Sequence, residues 1–366
     1  MPERYPIPFD KEETNMKKLV SIVLALLLVA VSLTALADDA LYISVISKGE
    51  QHAFWQAVRK GCEDAAKEYG VEMYYYGPPS ETDIALQVEA LKAEMAKGPN
   101  ALALASLSTD SVMTELQECL SNNIPVIGFD SGVPNAPEGS IKATASTNNK
   151  NAAALAAEEM LKLEGFADML KAATPEMPVV IGVLSQDATS ESITGRTTGF
   201  VDKMKELAGM YGTVEVRGHQ LWLSPMENAS IVIHVEVSAT TSATDLTNAA
   251  NAVLNLEHLK AVFCSNEGAV SGFLAATADG SELADGARYG DLIVSGFDAG
   301  TPQKNAVRQG WFIGSVTQDP YRIGYLAVEL AAKAAMGEEV MDVDTGAKWY
   351  TAENIDDPDI SLLVYD

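Results

Sequence analysis

The chain has 366 residues, enough for two domains. It carries 25 Lys and Arg against 51 Asp and Glu, a formal net charge of −26. Such an acidic balance argues against nucleic acid or an anionic membrane surface as a partner and says nothing about fold.

A basic start at Met16-Lys17-Lys18 leads into an apolar run over 19–33, and Ala35-Leu36-Ala37 precedes Asp38-Asp39. That is the pattern of a secretory signal peptide with a small-residue cleavage site, so the expected product is exported, periplasmic or extracellular, and cut after Ala37. The apolar run is short for a membrane span, and acidic rather than basic residues follow it. No cysteine stands at the cleavage point to take a lipid. Residues 1–15 resemble neither signal nor domain, which puts the true start at Met16 and makes 1–37 leader and signal peptide.

From residue 41 strands and helices alternate. Strands are expected at 41–46, 71–76, 101–105, 124–127 and 141–144. Helices are expected at 54–69, 82–96, 111–120 and 149–165, with Gly70 and Gly98-Pro99 as stops. After Pro178 the rhythm restarts, with strands at 179–184, 214–223, 231–237, 261–264, 292–294 and 312–316. The matching helices fall at 193–207, 246–254, 268–278, up to 309, and 321–336. The tail, 342–366, reads as irregular with a last strand at 362–364. This alternation predicts an α/β fold of two similar doubly wound parallel-sheet lobes. No low-complexity linker separates the halves, so the lobes are expected to be joined by a multi-crossing hinge near 146–149, 317–320 and 345–348. The N-terminal lobe then comprises 38–147 plus 319–347, and the C-terminal lobe 148–318 plus 348–366.

One phrase occurs twice. Val126-Ile127-Gly128-Phe129-Asp130-Ser131-Gly132 and Val294-Ser295-Gly296-Phe297-Asp298-Ala299-Gly300 each close an apolar strand and are followed, one residue on, by Pro. Ligands of open α/β sheets sit beyond the carboxyl ends of the strands. A single Asp-small-Gly is ordinary turn chemistry, but two copies in matching context point to two halves facing one ligand. Other strand ends offer His52, Phe54 and Trp55, then Arg196, Asn266 and Gln318. Each has a plainer alternative: core packing for the aromatics, a surface cation for Arg196, a helix cap for Asn266.

Cys62, Cys119 and Cys264 have no metal or redox spacing and read as buried thiols, and the four histidines form no paired motif, so neither metal nor cofactor is expected. There is no Gly-x-Ser-x-Gly elbow, phosphate loop or Gly-x-Gly-x-x-Gly after the first strand. Two Asp, one Arg, two side-chain amides and two aromatics are the mixture a neutral polyol needs: acceptors and donors for hydroxyls and flat faces for C–H surfaces.

At Phe54-Trp55, 124–130, Gly195-Arg196-Thr197-Thr198-Gly199-Phe200, 263–267, 294–298 and 315–320 the chain resembles the periplasmic sugar-binding proteins of ABC transporters, ribose-binding type (periplasmic binding protein type I). The resemblance implies that the aromatics sandwich a sugar ring. Asp130, Arg196, Asn266, Asp298 and Gln318 would bond its hydroxyls, with His52 a polar contact beside the aromatic pair. It also implies a monomer without enzymatic activity that delivers a monosaccharide-like ligand to a membrane permease. Ser131 stands where ribose binders carry Arg, the 214–237 segment is longer, and Thr240-Thr241 replaces an aromatic. Competing functions are a chemoreceptor ligand-binding protein, the effector-binding part of a repressor, and an exported carbohydrate-active enzyme using Asp130 and Asp298 as its acid/base pair.

Overall fold

A computed structural model of the chain describes residues 1–3, 40–50 and 52–365. The expected signal peptide and its cleavage point lie outside the described residues. Among the described residues no helix is long and apolar enough to cross a membrane.

Two sheets organise residues 41–365. The first joins β1 (Tyr42–Ile46), β2 (Glu72–Tyr76), β3 (Ala101–Leu104), β4 (Val126–Phe129), β5 (Ile141–Ser146) and β12 (Val343–Asp344) in the order β12-β5-β4-β3-β1-β2, all pairs parallel. The second joins β6 (Val179–Ser185), β7 (Val214–Gly218), β8 (Ile231–Val237), β9 (Leu259–Cys264), β10 (Ile293–Phe297), β11 (Gly314–Gln318) and β13 (Ala347–Tyr350) as β13-β11-β10-β9-β6-β8-β7. Only β13 runs antiparallel to its neighbour.

The central strands are apolar throughout because both their faces are covered. In β3, Ala101 and Ala103 face one core with Ile43 and Phe129, while Leu102 and Leu104 face the other with Ile46 and Leu116. In β9, Ala261 and Phe263 pack on one side, and Val262 and Cys264 on the other. The two-residue period thus feeds a core on each face of each sheet. Helix α1 (Ala53–Tyr69) covers the first sheet together with α10 (Pro320–Ala335), and α4 (Asn149–Lys162) with α6 (Glu191–Ala208) covers the second. The chain passes between the sheets at 146–149, at 318–320 and at 344–347.

Three expected elements differ. The helix expected over 149–165 ends at Lys162, and Gly165, at φ 81°, opens a second helix over Phe166–Ala172. The strand expected over 214–223 stops at Gly218; Gln220–Trp222 form a 3-10 turn, and Ser224 returns to pair with Val216 in an antiparallel bridge. The expected strand at 362–364 is not one. Pro358 starts a helical turn, Pro358–Ser361, and the Leu363 carbonyl accepts from the Thr317 hydroxyl (2.7 Å) instead of entering a ladder. The tail's strands are β12 and β13, whose Asp344, Lys348 and flanking turn residues hid the pattern.

Candidate ligand-binding cavity

Both copies of the repeated phrase fold alike. Asp130 and Asp298 adopt left-handed backbone conformations, φ 55° and 78°, uncommon for any residue but glycine and tolerated best by Asp and Asn. Each is held by its backbone. Asp130 N–H donates to the Ala145 carbonyl at 3.0 Å, and Asp298 N–H to the Val316 carbonyl at 2.7 Å. Each Asp carbonyl accepts from a serine on the next strand, Ser146 at 2.6 Å and Ser315 at 3.1 Å. The turns are therefore closed by main chain, and the carboxylates are left for other partners.

Those partners are buried. Lys48 Nζ, just past β1, lies 2.9 Å from Asp130 Oδ2, a charge pair without an aligned hydrogen bond, and donates to Ser192 Oγ at 2.9 Å. Asp298 accepts from Gln318 Nε2 (2.9 Å), the Glu267 N–H (3.0 Å) and Arg196 Nη1 (3.3 Å). Arg196 is fixed by Asn149 Oδ1 at 2.9 Å and lies 3.9 Å over the Phe297 ring, a cation–π contact in the protein interior. It is 3% exposed, so the surface-cation alternative does not hold.

His52, Phe54, Trp55, Asp130, Arg196, Asn266, Asp298 and Gln318 all line one narrow cavity at the carboxyl ends of both sheets, whose free space of about 20 Å³ has room for a water. Phe54 and Trp55, edge to face at 5.0 Å, belong to the core of the first lobe as well as to the cavity wall. Asn266 is the helix cap the sequence allowed, and it lines the cavity as well. Its Oδ1 caps helix α8 (Glu267–Ala276) through the Ala269 N–H at 3.0 Å, and its Nδ2 donates to Gln186 at 2.7 Å.

Four further lining residues were not singled out: Lys48, Glu81, Ile193 and Glu267. A charge two residues past the end of β1 was a readable signal for Lys48. Glu81 lies in the loop between β2 and α2 (Ile84–Met95), where nothing in the local pattern marks it. The cations beside the two aspartates are thus Lys48 and Arg196, one in each lobe, while Ser131 instead accepts the Ser192 N–H at 3.0 Å.

Burial opposes the charge of Lys48, but Asp130, Glu81 and Asp187 outweigh it and hold its pKa above the usual lysine value. Burial likewise opposes ionisation of Glu81, yet His52, Lys48 and two hydrogen bonds keep its pKa below normal. Glu267 goes the other way: burial, with Asp298 and Glu81 adding to it against His52, raises it to about 7. Its carboxylate lies against Gly300, where a Cβ would meet Oε1 at 2.5 Å, so the second Gly of the repeated phrase makes room for it. Among the described residues no group of three or more His, Cys, Asp or Glu is placed to hold a metal. Cys62, Cys119 and Cys264 are free and buried, as read from sequence.

A family described as periplasmic binding protein domain matches residues 43–339. The D-allose-binding periplasmic protein of Escherichia coli (strain K12) is 23% identical over 332 residues, covering 90% of this chain and 95% of its own length. A solved Brachyspira murdochii protein, titled ABC transporter, LacI family transcriptional regulator, is 39% identical with a TM-score of 0.75, covering 90% of this chain and 100% of its own. A carbohydrate transporter solute binding protein from Agrobacterium radiobacter, solved with D-arabinose, is 26% identical with a TM-score of 0.73, covering 90% and 100%.

Proposed function

The chain belongs to the periplasmic binding protein family, and from that premise we propose that it captures one monosaccharide-sized polyol between its two lobes and presents the closed form to a membrane ABC permease. The observation that carries this is the cavity itself. Acceptors from one lobe (Asp130) and the other (Asp298), donors from Arg196, Asn266 and Gln318, and the Phe54–Trp55 wall all line one shared cavity. Carboxylates and amides bind hydroxyls from several sides, and the aromatic wall covers C–H surface. The protein acts as an exported monomer that releases its ligand unchanged. Its lobes are 38–147 plus 319–347 and 148–318 plus 348–366, hinged at the three passages between the sheets. The relatives that bind D-allose and D-arabinose support a single sugar as ligand.

Thermal-shift screening against monosaccharides tests the reading, because a ligand that binds only the folded state raises the melting temperature. At least one sugar is expected to raise it in a dose-dependent way and to be recovered chemically unchanged. A panel of aldoses and ketoses that leaves it fixed, or a sugar converted to product, contradicts the reading.

A further inference from the structure

A line of side-chain hydrogen bonds runs from one lobe to the other beside the cavity. The Ala269 N–H donates to Asn266 Oδ1, which obliges Asn266 to present its Nδ2 to Gln186 Oε1 at 2.7 Å. Gln186 must then present its own amide N–H onward, and Nε2 donates to Glu81 Oε2 at 2.6 Å. The other oxygen of Glu81, Oε1, accepts from Trp55 Nε1, also at 2.6 Å. Indole offers a donor only. Both neighbours of residue 81 are therefore donors, each meeting a different oxygen, and a carboxylate is the side chain of this length that offers an acceptor oxygen to each. Gln186 is 1% exposed, and its Oε1 is packed so closely against Gly268 that a Cβ there would collide with it. The order of donors and acceptors is thus fixed from end to end by one backbone N–H.

We propose that Glu81 is a positioning residue that latches the two lobes, holding Trp55 of the first lobe to Gln186 and Asn266 of the second so that the two walls of the cavity come into register together. The latch rests on the proposed ligand site for its purpose, but its existence can be tested without any sugar. Other bonds cross at the same rim, Lys48 to Ser192 and the Thr189 hydroxyl to the Leu107 carbonyl at 3.2 Å. The Glu81 line joins residues of the cavity wall from both sides, Trp55 and Glu81 from one and Asn266 from the other.

The test exchanges donor and acceptor. Glu81→Gln leaves one amide N–H facing a donor. Gln186→Glu sets carboxylate against carboxylate. In Glu81→Gln/Gln186→Glu, Gln at 81 accepts from Trp55 and donates to the new carboxylate, which also accepts from Asn266, so every bond returns. All three native cysteines are buried, so probes can be attached at Glu118→Cys and Glu257→Cys, both exposed and one in each lobe. Inter-lobe distance distributions are then measured on the ligand-free full chain, with melting temperatures as a control for folding. Each single variant is expected to lower the ratio of closed to open molecules by about ten-fold or more, as for loss of a buried charge-assisted bond. The double variant is expected to return most of it. Unchanged distributions in the single variants, or a double variant as open as Gln186→Glu alone, overturn the proposal. Failure of the sugar panel would leave this readout intact.

Discussion

Asp130 and Asp298 each hold a backbone conformation that costs about 1–3 kcal/mol outside glycine, and neither carboxylate is spent on closing its own turn. For that reason Asp298→Asn is a sharper probe than Asp298→Ala: Asn tolerates the left-handed region, while its amide N–H meets donors from Gln318, Arg196 and the Glu267 main chain. Calorimetry with a sugar from the screen should show affinity reduced by ten-fold or more, about 1.4 kcal/mol, with the fold retained; unchanged affinity would remove Asp298 from the site. Glu267 makes a second prediction at this scale. Its folded-state pKa, about 7, lies above its unfolded value of 4.5. Between those values the folded chain holds the proton more tightly, so this group's contribution makes stability fall as pH rises from about 4.5 to 7. Urea unfolding at several pH values should show Glu267→Gln flattening that fall; a wild-type-like slope in the variant would assign the fall elsewhere.

At the scale of the element, helix α8 separates two roles of one residue. Asn266 starts it by capping the Ala269 N–H and reaches Gln186 with its other end. Asn266→Ser should keep the cap and nearly all the stability but lose the Gln186 bond and weaken sugar binding. Asn266→Ala should lose both, at about 1 kcal/mol of stability for the cap alone. Equal sugar affinity in wild type and the Ser variant would reduce Asn266 to a cap. What could be read in advance at this scale follows from how the strands are covered. β3, β4, β6 and β9 are buried on both faces and stand out as apolar runs, so their exits, with Asp130 and Asn266 on them, were visible. β13 is partly exposed along most of its length and was passed over, while Leu362, Leu363 and Val364 looked like a strand, though Leu362 is exposed and Val364 packs against the core of the second sheet. Glu81 was illegible for another reason. Its importance lies in meeting Gln186, 105 residues away, and no local spacing encodes that contact.

For the molecule as a whole, the repeated phrase places one aspartate at the carboxyl end of each sheet, and three chain passages connect the sheets. A sugar that touches Asp130 and Asp298 at once binds the closed arrangement better than the open one. It therefore shifts that equilibrium by its differential affinity, through the hinge closure known for periplasmic binding proteins. Small-angle scattering, with and without a sugar that raises the melting temperature, tests this most directly. The account predicts a smaller radius of gyration and a shortened distance distribution when the sugar is bound. An identical radius and distribution in both states would contradict it and point to a rigid pocket.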